Sequence, residues 1–236
     1  MKTINQKRNY NWKGIIGRIL FITFILCIIY LIFKVIVSLT GTMGIGIEYM
    51  KNEYVLALVL SILGAIIMIL PSIITKKRFI SIPNYMYLFF FMFLYCAIYL
   101  GEVKRLYYII PHWDTAVHVF GGAMLGIIGF MIVNILNKTE HVNIRLSPML
   151  VALFAFFFAI SLGVAWEIYE YIFDGLLSMN LQKYALKDGT LLVGHMAISD
   201  TMEDLMVNVL SAFITAVMGF FIIRRQARNG TDGKSA

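Results

Sequence analysis

Residues 148–173 read PMLVALFAFFFAISLGVAWEIYEYIF, and the only charged side chains in this run are Glu167 and Glu170. A helix of about 20 predominantly apolar residues is long enough to span the hydrocarbon core of a bilayer. The run therefore predicts a membrane-spanning helix that carries two acids near its end.

Five other runs meet the same test of length and polarity. They lie near residues 15–39, 54–75, 84–103, 115–136 and 203–223. The whole chain of 236 residues is 60% hydrophobic and only 14% charged, with a mean hydropathy of +0.82. Soluble domains are about 45–50% apolar and about 25% charged, so this composition excludes a water-soluble globule and a disordered chain. We predict an all-α, polytopic integral membrane protein, a bundle of six transmembrane helices.

The basic residues predict the orientation of this bundle. Of the 20 lysines and arginines, 14 lie in the N-terminal segment, the second and fourth connections and the C-terminal tail. The positive-inside rule then places both termini in the cytoplasm. This divides the chain into a basic N-terminus (1–14), a transmembrane domain (15–223) and a polar tail (224–236). The net charge of +7 is thus an orientation signal, and we expect the bilayer, not nucleic acid, as the partner.

The acids gather on the opposite side of the membrane. Three clusters lie at the outer ends of consecutive spans, and spacings of three or four residues put the members of each cluster on one helix face. The clusters are Asp114 with His118, Glu167 with Glu170, and Asp200 with Asp204 and Asn208.

Simpler explanations cover only some of these acids. Asp200 and Asp204 favour the dipole at the start of a helix, and Asp114 could be a helix N-cap. Neither explanation applies to Glu167 and Glu170, because they lie near a helix C-terminus, where negative charge is disfavoured. We therefore predict that the three clusters converge on one extracytoplasmic site.

The residue types in these clusters suit several chemistries. Carboxylates with an imidazole can bind a divalent metal such as Zn, Mg or Mn. The candidate ligands are Asp114, His118, Glu167, Glu170, Asp200 and Asp204, with Asn208, Trp113 and Glu102 as supporting residues. Alternatively, Glu167, Glu170 and His118 could act as catalytic acid and base groups, or relay protons in a transporter. The spacing does not separate these possibilities.

The longest outer connection, residues 175–199, is the remaining feature near the site. Its leucine-rich pieces flank a polar centre that begins at Lys183, which fits either a lid over the site or an amphipathic segment on the membrane surface. The other three histidines, His112, His141 and His195, are expected to be exposed loop residues.

At the three clusters the chain resembles the YjdF-like family of bacterial inner-membrane proteins (DUF2238), and more distantly the VanZ-like proteins. The family pattern is Asp-x-x-x-His opening one span, Glu-x-x-Glu ending the next and Asp-x-x-x-Asn opening the last. The matching pairs are Asp114 with His118, Glu167 with Glu170, and Asp204 with Asn208. VanZ-like proteins often carry an arginine shortly before the last acid, and this chain has none there. The resemblance implies a multi-pass protein of the bacterial plasma (inner) membrane that contacts envelope lipids, and it supplies no reaction.

Three classes of function follow from these observations. The first is a metal-assisted enzyme that acts on an envelope lipid or lipid-linked amphiphile. The second is a non-catalytic accessory or resistance protein, whose polar clusters bind helices together or hold a partner. The third is an ion-coupled transporter, which fits less well because its site would lie near the bilayer midplane, and these acids lie near the outer surface.

Overall fold

A computed structural model describes residues 12–40, 47–76, 82–138, 146–186 and 189–232. The described chain is almost entirely helical. Its helices are α1 (Trp12–Leu39), α2 (Ile47–Lys76), α3 (Asn84–Leu94), α4 (Leu106–Ile109), α5 (Trp113–Lys138), α6 (Pro148–Leu177) and α7 (Ser199–Asp232). A π-helical stretch, Tyr95–Val103, continues α3, and a 3₁₀ turn, Gly194–Ile198, leads into α7.

Six of these helical segments are long and apolar enough to cross a membrane, which confirms the predicted fold class. Each predicted span lies inside one of them. Helix α7 exceeds its predicted span at both ends, so residues 224–232 of the predicted polar tail are helical. Within the described ranges there is no β-strand, only an isolated bridge between Ala185 and Leu191.

The side chains on the lateral surface of the bundle are apolar along these spans. Large side chains such as Phe33, Ile66, Phe157 and Met218 are more than half exposed. The bilayer core offers no water to the backbone, so a helix, which satisfies its own hydrogen bonds, is the form in which such segments cross it. An apolar surface of this extent is stable in contact with lipid tails and unfavourable in contact with water.

The helices pack in two groups. Helices α5, α6 and α7 pack closely on one another, α1 pairs with α2, and α3 with its π-helical continuation lies between the groups. Small residues allow the close approach: a Cβ added to Gly129 of α5 would lie 2.7 Å from the Cα of Ala155 in α6.

One end of the bundle collects the polar residues, and we call it the site end. It contains the start of α2, the end of the π-helix, the starts of α5 and α7 and the end of α6. Asn52 Nδ2 donates to the Leu177 carbonyl at 2.6 Å, and Arg105 forms an ion pair with Glu53 at 2.9 Å. The first contact joins the two helix groups at this end, and the second joins α2 to the turn between the π-helix and α4.

Candidate metal site and cavity

Helices α5, α6 and α7 each contribute acidic side chains to one cluster at the site end. Asp114 lies in the first turn of α5, and His118 lies one turn later on the same face. The His118 Nε2 atom is 3.5 Å from Asp114 Oδ1, 3.8 Å from Asp204 Oδ2 and 4.0 Å from Glu167 Oε1. We call these four residues the His118 cluster.

Two of the three carboxylates in the His118 cluster are buried with unsatisfied oxygens. Glu167 is 5% exposed and Asp204 is 3% exposed. Among the described residues, neither Glu167 oxygen nor Asp204 Oδ2 has a hydrogen-bond partner. The side chains of Gln182 and Thr201 approach Glu167 without reaching hydrogen-bond geometry. Because buried carboxylates without partners are strongly destabilising, the cluster is suited to a cation.

The distances within the cluster suit metal ligands better than hydrogen bonds. All three distances from His118 Nε2 exceed the range of about 2.7–3.2 Å for a good N–H···O hydrogen bond. A tetrahedral metal with bonds of about 2.0–2.2 Å holds its ligand atoms about 3.3–3.6 Å apart. Ligand atoms from Asp114, His118 and Asp204 all lie within 4.8 Å of one another. These three residues could hold a divalent cation after a small inward shift, with Glu167 as a neighbour.

Lys183 connects the His118 cluster to the loop that follows α6. Its Nζ atom donates to Asp114 Oδ2 at 2.6 Å and to Asp200 Oδ1 at 2.5 Å. Burial lowers the pKa of Lys183, but the charge of Asp114 and the hydrogen bonds to both acids more than offset it, so this pKa lies above its ordinary value. The ammonium group is therefore charged. Asp114 uses one oxygen for Lys183 and presents the other to His118.

The loop that carries Lys183 is held over the site end by its own hydrogen bonds. We call its described part, residues 178–186 and 189–193, the site loop. Helix α6 ends at Leu177, because Ser178 adopts a left-handed conformation with φ of 51°. Asp174 then accepts hydrogen bonds from the backbone amides of Leu181 and Gln182 at 2.7 and 3.0 Å. The loop is thus fastened to the last turn of α6.

A cavity of about 910 Å³ lies between the site loop and the helix ends. Such a volume is typical of small-molecule sites, which span about 300–1,000 Å³. Its polar and aromatic lining includes Glu102, Asp114, Glu170, Tyr107, Tyr108 and Tyr184. Burial, followed by the charges of Glu102 and Asp114, raises the pKa of Tyr107 well above its ordinary value. Its phenol is therefore neutral and can donate a hydrogen bond. Because Asp114 lines the cavity, the cavity adjoins the His118 cluster.

The predicted site residues occupy three places. Asp114, His118, Glu167 and Asp204 form the His118 cluster. Glu170 belongs to the cavity instead, where its Oε1 atom accepts a hydrogen bond from Trp166 Nε1 at 2.9 Å, and Asp200 pairs with Lys183. Neither belongs to the group of converging ligand atoms.

The three predicted supporting residues also lie in different places. Glu102 lines the cavity, Asn208 is buried one turn beyond Asp204, and the Trp113 indole nitrogen is buried without a hydrogen-bond partner among the described residues. His112 and His195 are exposed, and His141 lies outside the described residues.

Lys183 was not among the predicted site residues. Its contacts with Asp114 and Asp200 span 69 and 17 residues, and no periodicity relates a loop lysine to two helix starts. One sequence feature could have indicated Lys183, namely its position as a basic residue in the connection between two acidic clusters.

The six apolar helices and the polar site end define a multi-pass membrane protein. Over residues 19–225 the chain matches the family described as "Predicted membrane protein (DUF2238)", and it belongs to that family. This confirms the family assignment, whereas the more distant VanZ-like relationship stays a prediction. No curated protein and no solved structure matches the chain.

Proposed function

We propose that the chain is a metal-assisted enzyme of the bacterial inner membrane, with both termini in the cytoplasm and the site end facing outward. Asp114, His118 and Asp204 bind a divalent metal such as Zn, Mn or Mg. The adjoining cavity receives an envelope lipid or a related amphiphile.

One observation carries this proposal. Three carboxylate oxygens from three helices surround a single imidazole nitrogen at 3.5–4.0 Å, and two of those oxygens are buried without hydrogen-bond partners among the described residues. A purely structural polar core would normally satisfy its buried oxygens. A mixed carboxylate and imidazole set with unused lone pairs supports a divalent cation.

The cavity supports an amphiphilic substrate. Its walls combine acids with apolar side chains of the site loop, Leu181, Leu186 and Leu191. Leu191 and Val193 of the same loop are 65% and 79% exposed. Exposed apolar side chains at the end of a membrane helix favour contact with the outer leaflet. A lipid could therefore reach the cavity without leaving the membrane.

The chemistry follows from the residues around the metal position. A metal bound there would supply Lewis acidity and lower the pKa of a bound water. Glu167 would lie near that water and could accept its proton. Its Oε1 atom is 4.0 Å from His118 Nε2 and has no hydrogen-bond partner among the described residues. Lys183 positions Asp114 through the oxygen that does not face His118.

The first test is metal binding and lipid turnover by the purified protein. Detergent-solubilised chain, stripped with a chelator, is titrated with Zn²⁺ and Mn²⁺ and is then incubated with phospholipid vesicles, whose lipids are followed by mass spectrometry. We expect about one ion per chain and metal-dependent lipid products. Asp204→Asn should weaken metal binding by at least about tenfold and abolish the products, because it removes a charged ligand.

The matched control is Glu203→Gln, which removes the neighbouring acid on the exposed side of α7. It should bind the metal as the unmodified chain does. A chain that binds no ion, or an Asp204→Asn variant that binds it equally well, contradicts the metal site. Metal binding without lipid products leaves the site intact and rejects the enzyme.

A specific observation favours a second candidate, a non-catalytic membrane accessory protein. Lys183 already neutralises part of the acidic charge through Asp114 and Asp200, which a polar group that only joins helices would also need. This candidate predicts that Asp204→Asn lowers the melting temperature of the chain by the same amount with and without added metal.

A further inference from the structure

Among the described residues, the cavity and its ion partners contain more carboxyl groups than basic side chains. The carboxylates in this group are Glu53, Glu102, Asp114, Glu170 and Asp200. Among the described residues two basic side chains accompany them, and both are already paired: Arg105 with Glu53, and Lys183 with Asp114 and Asp200. Charge complementarity therefore favours a cationic ligand in the remaining space.

Two carboxyl groups that line the cavity form no ion pair with a described basic side chain. Glu170 is only 8% exposed, and its one described hydrogen bond comes from the neutral indole of Trp166. No hydrogen bond or ion pair from a described residue reaches the carboxylate of Glu102. These two acids are separate from the three residues whose ligand atoms converge at the proposed metal position.

The rest of the lining indicates what kind of cation fits. Tyr107, Tyr108 and Tyr184 contribute aromatic rings to the cavity walls. In Tyr169, the residue before the cavity-lining Glu170, the hydroxyl is buried without a described hydrogen-bond partner. Aromatic faces attract organic ammonium groups, whereas a bare metal ion prefers a compact shell of oxygen or nitrogen ligands. A volume of about 910 Å³ also exceeds the needs of a single ion.

We propose that the cavity recognises the ammonium group of an amphiphile's headgroup, with Glu102 and Glu170 as its counter-charges and the tyrosine rings as its walls. This inference rests on the proposed amphiphile cavity and specifies its substrate class. It does not require the metal, because neither carboxylate belongs to the converging ligand set.

The test is headgroup selectivity in detergent solution. Short-chain phosphatidylethanolamine, short-chain phosphatidylglycerol and free ethanolamine are titrated into the purified chain, and binding is followed by calorimetry. We expect the ethanolamine lipid to bind at least about tenfold more tightly than the glycerol lipid, the scale of one hydrogen bond to a charged group. Glu102→Gln should remove most of this preference, while Glu203→Gln should keep it.

Each outcome bears on the proposal separately from the metal site. Equal binding of the two lipids by the unmodified chain overturns it, whether or not any variant folds. A Glu102→Gln variant that keeps the preference overturns the role of Glu102. Free ethanolamine that binds as tightly as the lipid supports ammonium recognition and identifies a soluble amine as the ligand. Zn²⁺ titration of Glu102→Gln should match the unmodified chain, so a failed metal site cannot be mistaken for a failed headgroup site.

Discussion

Asn208 of α7 lies against glycines of both α5 and α6. It is 3% exposed, and a Cβ added to Gly122 of α5 would lie 2.6 Å from its Oδ1 atom. A Cβ added to Gly163 of α6 would overlap its amide nitrogen. The amide therefore fills a space that two glycines leave open, one turn of α7 beyond Asp204. Asn208 thus contributes to the packing of the three helices that carry the His118 cluster, and its supporting role at the site stays a prediction.

Gly163→Ala is the residue-scale prediction. The added methyl group should displace Asn208 and lower the stability of the folded chain by about 1–3 kcal/mol, the usual cost of overpacking. Thermal unfolding in detergent, followed by circular dichroism, measures this as a lower melting temperature. Gly175→Ala on the same helix is the matched control, since no atom lies within 4 Å of a Cβ there. An unchanged melting temperature for Gly163→Ala would show that Asn208 can move without cost.

At the scale of elements, acids of the neighbouring helices hold the site loop at its beginning and at its middle. Asp174 holds its beginning through two backbone amides, and Lys183 holds its middle through Asp114 and Asp200. Within the loop, Asn180 and Ala185 exchange two hydrogen bonds at 2.7 and 2.9 Å. The lysine contact joins the loop to the starts of both α5 and α7, and Gln182 Nε2 adds a hydrogen bond to Thr201 Oγ1 of α7 at 2.8 Å.

Lys183→Met tests this attachment. The change should leave Asp114 and Asp200 without their counter-charge and release the middle of the loop. We expect faster amide hydrogen exchange at residues 181–186 and a small loss of stability, about 1–2 kcal/mol for a partly exposed ion pair. Lys104→Met is the control, since this exposed lysine lies over the ring of Tyr99 at the same end of the bundle. Equal exchange in both variants would mean that the hydrogen bonds of Asp174, Asn180 and Gln182 hold the loop without Lys183.

The sequence predicted the elements well where hydropathy decides them, and poorly where backbone detail does. A run of about 20 apolar residues has few alternatives to a spanning helix, so all six spans lie within observed helices. No comparable rule signals that α3 continues as the π-helix Tyr95–Val103, which carries Glu102 to the cavity. Arg105 and His112 adopt left-handed conformations without being glycine, and these turns set the start of α5.

At the scale of the whole molecule, the convergence of the acids was predictable because spans alternate in direction. The end of α6 must lie beside the starts of α5 and α7, and helical spacing aligns Asp114 with His118. Which acids belong to the His118 cluster and which line the cavity was not predictable. Whether Glu170 faces the cavity or the His118 cluster depends on the rotation of α6 about its axis. In addition, one oxygen of Glu170 accepts a hydrogen bond from the indole of Trp166. Long-range pairing such as that of Lys183 also depends on a loop path that local sequence does not encode.

The last prediction concerns orientation, because the proposed function requires the site end to face outward. Cys27 and Cys96 lie inside helical spans, so a variant with both replaced by alanine offers a background for single-cysteine labelling. In that background, His195→Cys places a thiol in the exposed turn before α7, and Gln226→Cys places one on the exposed opposite end of α7. A membrane-impermeant maleimide should label His195→Cys in intact cells and Gln226→Cys only after lysis, since basic residues favour the cytoplasmic side. The reverse pattern would turn the site end toward the cytoplasm. The cavity would then draw its ligand from the inner leaflet, and an extracytoplasmic activity would be excluded even if the metal binds.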